Sequence, residues 1–214
     1  MELSNLTIAG LSSALLAAYH IALFIRIKRS PEKTAFGQHR IARGLWIKHF
    51  ARSKNEILVV QTLRNWLMSA TFLATTSIFV ALGLLGIIST ADKITGLSQE
   101  LTALGETDTN LILFKFTLIL FLFMVAFFSF TLSIRFINHA SFVTNTPVEE
   151  NIPVEETEDL PFLNKHNDMK RASVFYFLGL RCLYISVPLV MWVLGPIWLL
   201  ISSVLLIAVL FPLD

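Results

Sequence analysis

Four long apolar blocks, separated by segments where charged residues gather, set the reading of this chain. They run roughly over Leu6–Ile25, Leu67–Ile88, Leu111–Phe130 and Val187–Phe211. Each is close to the ~20 residues that a helix needs to cross a hydrocarbon core ~30 Å thick. The expected fold class is therefore all-α: a polytopic transmembrane helical bundle with four spans, in which residues 1–214 form a single integral membrane domain.

Two of the predicted helices overrun the membrane. From Ser53 to Ser89 there is no Pro, and no Gly before Gly83. One helix of about 36 residues, about 54 Å long, is expected there. It starts outside the hydrocarbon and sets Arg64 and Asn65 near the inner interface, with Trp66 at an aromatic-belt position. The last block has a similar run-in. From Arg171 to Phe211 the chain is mostly apolar, interrupted by Arg181, Pro188, Gly195 and Pro196. With a span starting near Val187, Arg181 sits about 9 Å inward of the membrane edge. Its neighbours "VFYFLGL" and "CLYIS" are too apolar for free solvent, so other helices of this chain or of a second copy must bury them. A homo-oligomer with extended cytoplasmic helix ends is expected. Whether residues 172–186 stay outside the bilayer or enter it is left open.

Charge sets the orientation. Residues 26–54 carry nine Lys/Arg, whereas the loop Ser89–Asn110 has Lys93 against Asp92, Glu100, Glu106 and Asp108. The loop after the third span again holds Arg135, Lys165, Lys170 and Arg171. By the positive-inside rule the first and third loops are cytoplasmic, and both termini of a four-span chain in the inner (plasma) membrane lie outside. No basic residue precedes the first block, so the charged region that opens a signal peptide is missing.

Composition agrees: 55% of the 214 residues are hydrophobic and 15% charged, against about 25% charged in soluble domains. The single cysteine, Cys182, allows neither an internal disulfide nor a thiolate metal site.

Residues 34–54, "TAFGQHRIARGLWIKHFARSKN", read as a basic helical segment. Ile41, Leu45, Trp46 and Phe50 have the spacing of one helical face. Such a helix either lies on anionic lipid headgroups or packs on other cytoplasmic parts of the chain. The loop 144–168 contains "PVEENIPVEETED", whose six carboxylates mark a solvated acidic segment.

Candidate chemistry lies mainly in the second span. Gln61, Asn65 and Ser69 are four apart and share a helix face, and Thr71, Thr75 and Thr76 carry hydroxyls deeper. They suit a permeation lining or hydrogen bonds between packed helices. Arg64 and Arg181 suit a positive layer that favours anions; alternatively each snorkels to phosphates or pairs with an acid such as Glu56 or Asp168. Lys115 is expected to snorkel to the outer headgroups. His20 and His139 fall at similar depths, as two axial haem ligands would. No haem-attachment motif and no carboxylate within a span accompanies them, so no cofactor and no metal is expected. Phosphate-binding, dinucleotide, nucleophile-elbow and zinc-protease motifs are all absent, so the protein is not expected to be an enzyme. No carboxylate within a span suggests a proton relay, and no internal repeat is visible. Gly10, Ser13, Ala14, Ala17 and Ala18 let another helix approach the first span. The third span, ringed by Phe114, Phe116, Phe121, Phe123, Phe127, Phe128 and Phe130, is expected to face lipid or a subunit interface.

The stretches "QTLRNWLMSATFLATT" and "GLRCLYISVPLVMWVLGPIWL" resemble the signatures of the domain of unknown function 599 family, membrane proteins with about four spans. The resemblance covers nearly the whole chain. It implies the same fold and topology, and no activity. Two functions stay open: an oligomeric channel-like or transport protein for small solutes, anions among the candidates, and a non-catalytic scaffold or accessory subunit of a larger membrane complex. The expected partners are the lipid bilayer, further copies of the chain and anionic headgroups at the basic segment; nucleic acid is not among them.

Overall fold

The computed structural model describes residues 2–50, 56–90, 96, 109–144 and 165–214. The described chain is helical throughout: α1 Glu2–Arg29, α2 Ala35–Phe50, α3 Glu56–Ile88, α4 Thr109–Thr144, α5 Lys165–Val193 and α6 Pro196–Leu210, with a 3-10 turn at Pro31–Lys33. Four of these helices, α1, α3, α4 and α5, are long and apolar enough to cross a membrane. Residues 51–55 of the basic segment and 145–164 of the acidic loop lie outside the described residues.

The principal packing runs in the order α3, α4, α5, α6, α1, so that α4 and α5 are central and α6 stands between α5 and α1. Three apolar clusters join α3, α4 and α5 along their length. At the end where α1 finishes in Arg26, Lys28 and Arg29, hereafter the basic end, Val59 and Leu63 meet Ile137, Ala140, Met169 and Ala172. Ala74, Ala126, Phe130 and Cys182 hold the middle. Ile112 and Phe116 close the far end against Leu84, Ile88 and Val193. The first cluster belongs to the parts of α3, α4 and α5 that overrun the apolar blocks, so the extended helix ends carry a core of their own.

Within lipid, hydrophobicity does not drive helices together, so close packing and interhelical hydrogen bonds must. The α4–α5 seam shows both. A side chain on Gly179 would place its Cβ 2.7 Å from the ring of Phe130, so only a glycine lets α5 come this near. The Ser133 hydroxyl donates to the Ala172 carbonyl at 2.9 Å across the same seam. Ser69 and the Tyr176 hydroxyl, 2.9 Å apart, link α3 to α5. Between α1 and α6 the buried Ser12 and Ser203 donate to their own helices, at Ile8 and Leu199. Bonded in this way, a buried hydroxyl does not leave its donor unpaired.

The structure revises the sequence reading at three points. First, residues 187–211 are not one span. α5 is by itself long and apolar enough to cross a membrane between Asn167 and Val193. The chain turns at Gly195, whose φ of 141° only glycine adopts readily. Pro196 then opens α6, where its fixed φ and missing N–H are suited to a first helical turn. Second, α6 runs back alongside α5 and α1, and the Ala35 N–H donates to the Asp214 carbonyl at 3.1 Å. Residue 214 thus lies beside the start of α2, and residue 2 lies at the other end of α1. Third, the Phe-rich helix α4 is central. Phe116 and Phe130 are buried, while Phe114, Phe121 and Phe128 stay exposed. Gly10, Ser13, Ala14, Ala17 and Ala18 face outward, while α1 turns Ser12, Leu16 and Leu23 inward.

Candidate functional site

The most concentrated buried polar chemistry gathers around Arg181. This residue is 8% exposed and lies within the span of α5. Its guanidinium makes a two-pronged contact with the Asp214 carboxylate: Nη1 donates to Oδ2 at 2.7 Å and Nη2 donates to Oδ1. Tyr19 of α1 donates its hydroxyl to the same Oδ2. The guanidinium also lies over the rings of Phe177, 4.6 Å from the centroid, and Tyr184, 5.8 Å. A fork-on-fork pair is the strongest arrangement available to arginine, and aromatic faces stabilise the cation further. The helix turn at Gly195 makes this meeting possible, because α6 returns residue 214 to the level of Arg181.

Beside the pair stands His20. Its Nδ1 lies 2.8 Å from the Leu16 carbonyl oxygen. A carbonyl only accepts, so Nδ1 carries the proton and Nε2 is left as an acceptor. His20 Nε2 and Arg181 Nε are both buried without a hydrogen-bond partner among the described residues. The cluster is therefore electrically balanced but retains one donor and one acceptor. Chemically it is a clasp: a neutral, enclosed ion pair joining α1, α5 and the segment after α6.

The residues singled out from the sequence divide into two groups. Arg181 faces inward, and Ser69 reaches Tyr176. The others point away from the chain's own core. Gln61, Arg64, Asn65, Thr75 and Thr76 are exposed, together with Met68, Phe72 and Phe79. The buried positions of α3, namely Val59, Leu63, Ala70, Ala74, Ser77 and Ala81, lie on the opposite side of the helix, as their spacing requires. Arg64 and Arg181 are thus not brought into one layer. Thr71 and Thr76 donate to the carbonyls of Leu67 and Phe72, each at 2.9 Å, while Gln61, Arg64, Asn65 and Thr75 have no partner among the described residues.

Two other expectations change. Arg181 pairs with Asp214 rather than with Asp168, and Asp168 instead meets His139, Nδ1 to Oδ2 at 2.6 Å; the side chain of Glu56 lies outside the described residues. The two histidines therefore serve separate contacts. Lys115 does not snorkel. It is fully buried, with its ammonium 5.1 Å from the Trp192 ring centroid. No group of three or more His, Cys, Asp or Glu is arranged to hold a metal among the described residues.

Sequence reasoning missed Asp214 and Tyr19. A usable signal was present. An arginine inside a span calls for a counter-charge, and Asp214 is the only acidic residue after Asp168. Placing it required reading Gly195-Pro196 as a turn rather than an interruption.

Fold and site together define, among the described residues, an all-helical chain with four helices long and apolar enough to cross a membrane and a buried ion pair. The chain matches, over residues 7–214, the family described as Protein of unknown function, DUF599, and it belongs to that family. No curated protein and no solved structure matches the chain.

Proposed function

We propose that the protein is a non-catalytic, self-associating scaffold or accessory subunit of an assembly in the inner (plasma) membrane, with its basic end in the cytoplasm. The outward face of α3 carries this reading. Gln61 and Asn65 each offer donors and an acceptor, so the same patch on a second copy related by a twofold axis is complementary to it. Farther along the same face nothing lies within 4 Å of the Cβ positions of Gly83 and Gly86, which leaves room for the backbone of another helix. The clasp supports a structural role: Asp214 cancels the charge that Arg181 would bring to an anion filter.

A second reading has several copies enclosing a passage for small solutes, lined by α3. Thr75 favours it, because its hydroxyl faces outward within the span without a partner among the described residues. Thr71 and Thr76 weigh against it, since hydroxyls bonded to their own helix need no water. Ion flux decides between the two. Folded protein in liposomes is expected to pass no ions under an imposed gradient. A flux that changes on Thr75→Val or Arg64→Ala would overturn the scaffold in favour of the passage.

A further inference from the structure

The corner between α1 and α2 is fixed. Ser30 N–H donates to the Arg26 carbonyl at 2.9 Å, and Thr34 N–H to that of Pro31 at 3.2 Å. The Thr34 hydroxyl donates to the Pro31 carbonyl and accepts from the Gly37 N–H, at 3.0 and 3.2 Å. A Cβ on Gly37 would stand 1.8 Å from the Pro31 oxygen, so the two backbones touch and no other residue fits. Phe36 lies on Phe177 of α5, with centroids 4.4 Å apart. These contacts set the start of α2 at the basic end of the bundle. Past this first turn α2 leaves the core: Gln38, His39, Ile41, Ala42 and Leu45 are exposed. Ile41 is 45% and Leu45 64% exposed, and the two are four apart on one face.

Water is a poor surrounding for that face, and the charge around it specifies a better one. Residues 26–50 hold seven Lys/Arg against Glu32 alone, a net charge of +6 with histidines neutral. An apolar pair among cations at the end of a membrane bundle matches the boundary between anionic headgroups and acyl chains. We propose that α2 docks on the anionic lipid surface of the bilayer that holds the bundle, with Ile41 and Leu45 inserted among the headgroups. Among the described residues neither side chain is packed away against the rest of the chain. Their occupant is lipid, recognised by its phosphate charge.

The test uses the full chain carrying Leu45→Cys and Cys182→Ala, labelled at residue 45 with an environment-sensitive fluorophore. It is reconstituted in phosphatidylcholine vesicles with and without phosphatidylglycerol. With the anionic lipid, brominated lipid is expected to quench the label and aqueous acrylamide to be excluded. Without it, or in Arg40→Gln/Arg43→Gln/Lys48→Gln, acrylamide access is expected to rise, about fivefold in the docking equilibrium per charge removed. Equal acrylamide access in both vesicle types would overturn the proposal. So would a label shielded from both quenchers in both, which would place protein rather than lipid over α2. The comparison of the two vesicle types does not depend on the folding of the triple variant.

Discussion

Arg181 and Asp214 each carry a large stake in stability. Side chains only 10% and 11% exposed hold opposite charges in contact. Removing one partner strands the other in a poorly solvated place, which costs about 3–5 kcal/mol, whereas replacing both with apolar groups is far less harmful. Asp214→Leu and Arg181→Leu are each expected to destabilise by that amount, and the double variant by much less than their sum. Denaturant titration of the protein in mixed micelles measures this. Additive losses would mean that the two side chains do not act as a pair. Lys115 is different in kind: it is buried at the far end over Trp192, and the general habit of lysine near a membrane edge did not foretell it. Whether a long cationic stem reaches outward or folds inward depends on which neighbours line its path, and those come from a helix more than seventy residues away in sequence.

At the scale of elements, α5 and α6 decide the topology. The apolar blocks marked α1, α3 and α4 correctly because each is a single unbroken run. The last block misled because apolar residues continue through the turn, so composition alone does not reveal that the direction reverses. Gly195-Pro196 was the only local sign, and it reads equally well as a kink. The outward direction of α3's polar line was also invisible: period fixes which residues share a face, but not which face meets the neighbours. The overhanging ends of α3 were legible, since a helix of that length without Pro must exceed the hydrocarbon thickness. The hairpin carries its own prediction. With Cys182→Ala as background, Leu213→Cys is expected to react with an impermeant maleimide from the same side as Ser30→Cys, and Thr90→Cys from the other. Labelling of residue 213 together with residue 90 would contradict the return of α6 to the basic end.

For the molecule as a whole, the striped division of α3 is the feature that asks for more than one chain. One side of the helix builds the core with Val59, Leu63, Ala70 and Ala74, while the other displays amides, hydroxyls and glycines. Hydrogen bonds between membrane helices contribute roughly 0.6–2 kcal/mol each, so a few of them over a close backbone contact are enough to hold two copies in a membrane that also confines their diffusion. α1 presents a second small-residue face outward, yet Gly10, Ser13, Ala14, Ala17 and Ala18 include no amide to set a partner's register. Disulfide crosslinking in native membranes tests the central claim most directly. In the Cys182→Ala background, Thr75→Cys and Gly83→Cys are expected to give a two-chain product on oxidation, and the inward Ala74→Cys none. If neither outward cysteine crosslinks, and the protein has the mass of one chain in lipid nanodiscs, α3 faces lipid alone and the self-associating scaffold is wrong.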